Sequence, residues 1–208
     1  MRSKPNALAR LALLTVSLLG VLLLPARLRA QHAGGGAAGA RSFAPKEAEQ
    51  FAFLVGQWEV TVMPKVSSLA ATLHGQPKLL GTWKAWRAFD GFGVEDELRV
   101  IDASGNPNAL SHTMRIYDAT LGKWTQTSLD VYRGRFTTAN GAWAQDALSL
   151  RSVGRDAEGK AYVQRSRFYD ITPTSFKFSV DRSNDGERTW ETGVMRIEAK
   201  RVAASAPR

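Results

Sequence analysis

The stretch from Phe51 to Val62 constrains the fold more than any other part of the chain. A compact apolar run stops at Gly56, and a strict alternation of apolar and polar residues then begins. The apolar positions fall on one face and the polar positions on the other: Trp58, Val60 and Val62 against Gln57, Glu59 and Thr61. A period of two residues predicts a strand with one buried face, here entered from a short helix.

The first thirty residues have the layout of a secretory signal peptide. A basic start precedes a continuous apolar run over residues 11–24. This run is shorter than the ~20 residues that a membrane-spanning helix needs, so a retained anchor is the weaker interpretation. Cleavage after Ala30 and cleavage after Ala40 both stay open. We predict a signal peptide over residues 1–30, a flexible Gly/Ala-rich tether over 31–44, and a disordered tail over 204–208.

The net charge of +9 is concentrated in the predicted signal peptide. Residues 1–30 carry five basic and no acidic side chains, and the rest of the chain has 23 Lys and Arg against 19 Asp and Glu. These charges are interspersed, which is typical of a solvated surface and not of a nucleic-acid-binding face. The chain has no cysteine, which excludes disulfides and thiolate metal sites. We expect a periplasmic or secreted protein without a nucleic-acid partner.

From Gly56 onward, strand-like segments alternate with turn signals, and no long helical period interrupts them. About ten segments are rich in β-branched and aromatic residues: 56–64, 79–89, 92–101, 110–118, 123–132, 134–139, 142–153, 160–171, 174–182 and 188–201. Turn signals such as Asp90-Gly91 and Asn140-Gly141 separate them. A meander this long avoids exposed edges by closing. We therefore predict an all-β domain over residues 45–203, an antiparallel ten-stranded barrel with the short helix plugging one end.

Four short motifs resemble known barrel proteins. The motif Phe53-Leu54-x-Gly56-x-Trp58 is similar to the opening of lipocalin-like and nitrobindin-like barrels, in which a tryptophan closes the barrel end. Three later motifs resemble a secreted bacterial family of lipocalin-like domains with no established activity: Ile116 to Trp124, Phe168 to Phe176, and Ser183 to Trp190. The resemblance covers most of residues 46–201. It implies a lipocalin-like (calycin-type) barrel in an exported protein.

The segment from Ser183 to Trp190 also resembles the Asp-box hairpin of sialidase-like propellers. It occurs once, and Glu187 stands where that motif usually has glycine. Because a propeller needs repeats, we interpret the segment as a structural hairpin turn with Trp190 packed beneath it.

Two polar residues fall on strand faces that are otherwise apolar. Asp96 alternates with Val94 and Leu98, and His112 alternates with Leu110 and Met114. Both either help to form a ligand pocket or are ordinary buried groups with hydrogen-bond partners. Arg165, on one face with Arg167, either holds an anion in the interior or faces solvent. The candidate ligand-binding residues are those expected to line the interior: Trp58, Phe92, Asp96, His112, Met114, Arg165, Phe176 and Phe178.

Haem is a specific question, because nitrobindin-like barrels bind it. No histidine falls in the C-terminal strands, where that resemblance implies the proximal ligand. His32 lies in the tether and His74 in a predicted loop, which leaves His112 as the sole candidate axial ligand. We therefore expect no haem and no metal site.

Catalytic motifs are absent from the sequence. There is no Gly-x-Ser-x-Gly turn, no His-Glu-x-x-His and no phosphate-binding loop. We predict an exported barrel that binds a small apolar or amphipathic ligand in its interior. Two alternatives stay open: a lyase, isomerase or hydrolase with Asp96 and His112 as an acid–base pair, and a structural domain without an interior ligand.

Overall fold

A computed structural model describes residues 43–203. The predicted signal peptide, most of the tether and the C-terminal tail lie outside these residues. Ten strands form one antiparallel meander: β1 (Gly56–Pro64), β2 (Leu79–Ala88), β3 (Gly93–Ile101), β4 (Pro107–Asp118), β5 (Lys123–Asp130), β6 (Arg135–Ala144), β7 (Ala147–Arg155), β8 (Ala161–Tyr169), β9 (Ser175–Ser183) and β10 (Glu191–Arg201). The prediction of about ten strands is confirmed.

The sheet closes on itself. Each strand pairs with its neighbours in the chain, and β1 completes the ring by pairing with β10. In this closed register Trp58 lies opposite Arg201 on β10 and opposite Trp83 on β2. Closure satisfies the backbone donors and acceptors that an open sheet would leave at its edges. The predicted barrel is therefore confirmed.

The period of two residues sets the inner face of most strands. On β1, Trp58, Val60 and Val62 are buried, and Glu59 between them is exposed. On β9, Phe176 and Val180 are buried in the same way, with Lys177 exposed. Because one face of each strand lines the interior, a shift of one residue would turn all of these side chains outward.

A 3₁₀ helix, Lys46–Leu54, precedes β1, and we call it the N-terminal helix. Its Phe51 ring lies 4.6 Å from the ring of Trp124 on β5. The carbonyl oxygen of Leu54 accepts a hydrogen bond from Trp58 Nε1 at 2.7 Å. These contacts hold the helix against inward-facing aromatic residues. That it plugs the barrel end stays a prediction.

Two local predictions were wrong. A seven-residue helix, α1 (Ser68–His74), lies between β1 and β2, where the sequence predicted only a loop. It is seven residues long and has no buried residue, so its helical period is too short to stand out in the sequence. The Asn140-Gly141 pair is not a turn, because β6 continues to Ala144. Gly141 instead allows the carbonyl oxygen of Ser149 to approach closely, a position that a Cβ atom would occupy.

The meander gives the barrel two distinct ends. The connections after β1, β3, β5, β7 and β9 lie at one end, which we call the distal end. The N-terminal helix and the connections after the even-numbered strands lie at the other, the proximal end. No helix within residues 43–203 is long and apolar enough to cross a membrane.

Candidate ligand-binding site

The centre of the site is an ion pair inside the barrel. Asp96 on β3 and Arg115 on β4 are 1% and 3% exposed. Asp96 Oδ2 contacts Arg115 Nη1. Asp96 Oδ1 accepts a hydrogen bond from Trp83 Nε1 at 2.8 Å, and Arg115 Nε donates to Gln126 Oε1 at 2.9 Å. Both charged groups are therefore held by specific side-chain partners.

Aromatic rings enclose the guanidinium of Arg115. Its Cζ atom lies 5.2 Å from the ring centre of Phe51 and 5.7 Å from that of Phe168. Burial lowers the pKa of Arg115 to about 9, because a charged group is poorly solvated in this environment. The guanidinium is still protonated at neutral pH, and the carboxylate of Asp96 faces it.

Hydrogen bonds extend from this ion pair toward the distal end. Gln126 Nε2 donates to the hydroxyl of Ser128 at 3.1 Å, and that hydroxyl lies 3.1 Å from the hydroxyl of Thr113. These side chains alternate along the inner faces of β4 and β5, in register with Asp96 and Arg115. A chain of polar groups therefore lines this part of the interior.

Further polar side chains face inward on β4, β7 and β8. Their cross-strand partners fix their direction, since Ser152 lies opposite the buried Ala139 and Ser166 opposite the buried Leu150. Four of these inward-facing residues are Ser111, Ser152, Gln164 and Ser166. Within residues 43–203 their hydroxyl and amide groups form no side-chain hydrogen bond. Together with Thr113, Gln126 and Ser128 they form a surface that we call the polar wall. Unpaired groups facing an interior are ready to bind water or a ligand.

The opposite inner surface, on β1–β3, β9 and β10, is mainly apolar; Arg182, opposite Gln164 near the distal end of β9, is an inward-facing exception. Leu98, Phe178 and Met195 point inward according to their cross-strand partners, yet each keeps some accessible surface. Their partial accessibility indicates that solvent reaches this part of the interior. We call these three residues, with Val62 and Val100, the apolar wall. The two walls and the Asp96–Arg115 pair at their base define the interior cup.

The proximal half of the interior is packed. Phe168 and Phe176 are buried there. The ring centre of Phe176 lies 4.8 Å from that of Trp58 and 5.4 Å from that of Trp83. Among the candidate residues, Trp58 and Phe176 therefore belong to this packed half, and Asp96 and Phe178 belong to the cup. Phe92 is half-buried in a short turn before β3 and is not part of the predicted strand face.

The expectation that His112 and Met114 face the interior is wrong. Met114 is 37% exposed, and the His112 side chain is 38% exposed on the outer face. His112 Nε2 lies 3.7 Å from Glu95 Oε2, and its ring lies 5.8 Å from that of Trp86. The alternation on β4 is real but inverted, because the polar side chains there line the cup.

Arg165 also lies on the outer face, not in the interior. It forms an ion pair with Asp181 at 2.9 Å, and its Cζ atom lies 4.4 Å from the Trp190 ring. The hairpin between β9 and β10 brings Trp190 to this position. Arg167, two residues along β8, shares this face and is exposed. Of the two alternatives for these arginines, the structure therefore supports the solvent-facing position and not an interior anion site.

Arg115, Gln126, Ser152 and Gln164 were missed by the sequence interpretation. The signal that could have identified Arg115 is its pairing: β3 and β4 form a hairpin, so the β4 positions opposite an inward Asp96 must also point inward. No group of three or more metal-binding side chains occurs among the described residues. The two histidines within residues 43–203 both lie outside the cup; the expectation of no haem is not tested by this.

No protein-family model and no curated protein sequence matches the chain. A solved structure with similar architecture is the S-type phycobiliprotein lyase CPES from Guillardia theta. The TM-score is 0.51 at 9% identity, covering 76% of this chain and 93% of that one. A looser similarity, with a TM-score of 0.39 at 12% identity, is to EF1p2_mFAP2b bound to DFHBI, covering 74% of this chain and 98% of that one.

These similarities concern the fold. The described residues form a closed ten-stranded antiparallel β-barrel, which confirms the barrel fold that the resemblance implies. Membership in a secreted bacterial family stays a prediction.

Proposed function

We propose that the protein is exported and binds one small amphipathic molecule in the interior cup. The observation that carries this proposal is the division of the cup. Hydroxyl and amide side chains that have no side-chain partner among residues 43–203 face the partly accessible Leu98, Phe178 and Met195 across the interior. Binding sites for small molecules combine an apolar lining with a few placed polar groups in this way.

The division of the cup favours an amphipathic ligand over a purely apolar one. An apolar molecule would cover the polar wall and leave its hydroxyl and amide groups without hydrogen bonds, at about 1–3 kcal/mol for each group. A ligand with one hydrogen-bonding edge satisfies these groups, while its apolar face covers Phe178 and Met195. Because Asp96 and Arg115 neutralise each other at the base of the cup, they offer the ligand no uncompensated charge. Their role is to hold the neighbouring polar side chains in position.

The alternative enzyme mechanism loses its support. Asp96 lies inside and His112 outside, because Glu97, not Asp96, is the cross-strand partner of His112. An acid–base pair requires both groups to reach one substrate. The remaining alternative is a structural domain without an interior ligand.

The test uses 1-anilinonaphthalene-8-sulfonate, an amphipathic fluorescent probe, with the purified mature protein. We expect saturable binding with one probe per chain. Ser166→Phe adds bulk inside the cup and should weaken binding about tenfold or more, since the site loses volume. Ser149→Phe adds the same bulk on the outer face of the adjacent strand β7 and is the matched control.

Gln164→Leu provides a second variant in case Ser166→Phe does not fold. It nearly preserves volume and removes one amide from the polar wall, so we expect weaker binding with an unchanged thermal midpoint. Absence of binding by the wild-type protein, or equal loss in the Ser149 and Ser166 variants, would overturn the proposal in favour of a structural domain. Export is tested separately, by the N-terminal residue of protein recovered from the periplasm or medium.

A further inference from the structure

We infer that the distal end docks on the surface of an anionic phospholipid bilayer, through the β5–β6 hairpin and the adjacent strand β7. This inference is independent of ligand binding in the cup. It rests on exposed apolar side chains and unpaired arginines that occur together at this end of the barrel.

The β5–β6 hairpin has an apolar outer surface. Val131 and Tyr132 are exposed in the turn, and Phe136, at the start of β6, is 71% exposed. Val153 on β7 is also exposed, and it lines the same 440 Å³ cleft as Phe136. Single exposed apolar residues are ordinary, but a cluster on a protruding hairpin marks a binding surface.

Two arginines border this apolar cluster. Arg135 and Arg155 line the same cleft, and neither takes part in an ion pair with any residue in 43–203. The carboxylate of Asp156 also lines the cleft, and it is paired with Arg182 at 3.8 Å. Arg155 donates to the carbonyl oxygen of Gly159 at 2.8 Å, which orients its guanidinium. A guanidinium matches the geometry of a phosphate group. Apolar side chains beside cationic ones are the arrangement that binds the interface of an anionic membrane.

A second apolar segment lies at the same end. Leu69 and Leu73 on α1 are one helical turn apart and both exposed. Lys65 and Lys78 flank the helix, and Lys65 pairs with Glu191 at 3.2 Å. The β1–β2 connection that carries α1 lies across the ring of ten strands from the β5–β6 hairpin. A flat lipid surface can contact both segments at once, which favours a bilayer over a compact protein partner.

The experiment measures co-sedimentation of the full mature chain with two kinds of vesicle, phosphatidylcholine alone and phosphatidylcholine mixed with phosphatidylglycerol. We expect about tenfold or stronger partitioning onto the anionic vesicles, because each arginine near such a surface favours binding. Tyr132→Ser with Phe136→Ser should weaken binding to both vesicles. Arg135→Gln with Arg155→Gln should remove the preference for anionic vesicles.

Matched controls lie away from the distal end. Leu121→Ser removes an exposed apolar residue at the proximal end, and Lys84→Gln removes an exposed cation on the outer face of β2. Both should bind like the wild-type protein, and all variants should keep its thermal midpoint. The inference is overturned if the wild-type protein sediments with neither vesicle, if the controls lose as much binding as the hairpin variants, or if inorganic phosphate displaces the protein completely. Each of these results leaves probe binding in the cup unaffected.

Discussion

Asp96 and Arg115 are diagonal neighbours on the inner faces of β3 and β4, and their side chains form an ion pair. Within residues 43–203, neither side chain forms an ion pair with any other residue. Thr113 lies directly opposite Asp96, and Val94 directly opposite Arg115. The diagonal arrangement brings the carboxylate under the guanidinium at the boundary between the packed half of the barrel and the cup. Two charges are therefore buried where the interior changes from apolar to polar.

The first prediction concerns removal of one member of this pair. Asp96→Asn leaves the guanidinium of Arg115 buried without its counter-charge. Breaking a buried pair in this way costs about 3–5 kcal/mol, because the remaining charge is not solvated. We expect a loss of this size in the free energy of unfolding, measured by urea denaturation.

Two further variants distinguish the effect of burial from the effect of charge on the free energy of unfolding. Glu97→Gln removes one partner of the exposed Arg99–Glu97 pair and should cost less than about 1 kcal/mol. Asp96→Leu combined with Arg115→Met replaces both charges by apolar groups and should recover much of the loss. If Asp96→Asn is no more damaging than Glu97→Gln, the ion pair does not stabilise the fold.

The sequence predicts the fold well because alternation survives in nearly every strand. Trp58 and Phe176 were assigned to the interior for this reason, and both are buried. The turn signals also place most strand ends correctly. Asn140-Gly141 misled because the same glycine that permits a turn also permits close packing of strands.

The site was harder to predict because alternation defines two faces without saying which one is inside. On β4 the apolar face, with Met114 and Ile116, is exposed, and the polar face lines the cup. The usual assumption that apolar side chains face inward fails where the interior itself is polar. The direction of Arg165 stayed open in the sequence for the same reason, and the structure places its side chain on the outer face of β8, against the Trp190 ring.

A second prediction concerns the aromatic packing at the proximal end. Trp58 is fully buried, and its ring lies 4.0 Å from the Arg201 guanidinium carbon. Trp58→Ala leaves a large cavity and should lower the free energy of unfolding by about 3–5 kcal/mol. Trp86→Ala, on the outer face, is the control and should cost less than about 1 kcal/mol. Equal losses in the two variants would contradict the packing described here.

A third prediction separates the inner from the outer candidate residues. Phe178→Ala removes part of the apolar wall and should weaken binding of 1-anilinonaphthalene-8-sulfonate several-fold. His112→Ala and Met114→Ala change only the outer face and should leave the dissociation constant unchanged. The absorbance of haemin added to the same proteins provides a second readout. A Soret band that shifts with the wild-type protein but not with His112→Ala would contradict the expectation of no haem.

The last prediction concerns Asp185 in the β9–β10 hairpin. Hydrogen bonds from the Thr189 hydroxyl, the Thr189 amide and the Ser183 hydroxyl hold the pKa of Asp185 well below its usual range. The folded state therefore binds a proton at this carboxylate less readily than the unfolded state, in which the pKa is about 4. The resulting stabilisation is complete above that pH and is lost as the pH falls toward the folded-state pKa.

The thermal midpoint measured between about pH 6 and about pH 2 tests this sign. The wild-type protein should lose more stability on acidification than Asp185→Asn, which has no proton to bind at this position. Thr189→Val keeps the backbone amide but removes the hydroxyl, so its pH dependence should lie between the two. Parallel curves for the wild-type protein and Asp185→Asn would mean that these hydrogen bonds do not favour the ionised carboxylate, and that the hairpin which positions Trp190 over Arg165 is held in place by other contacts.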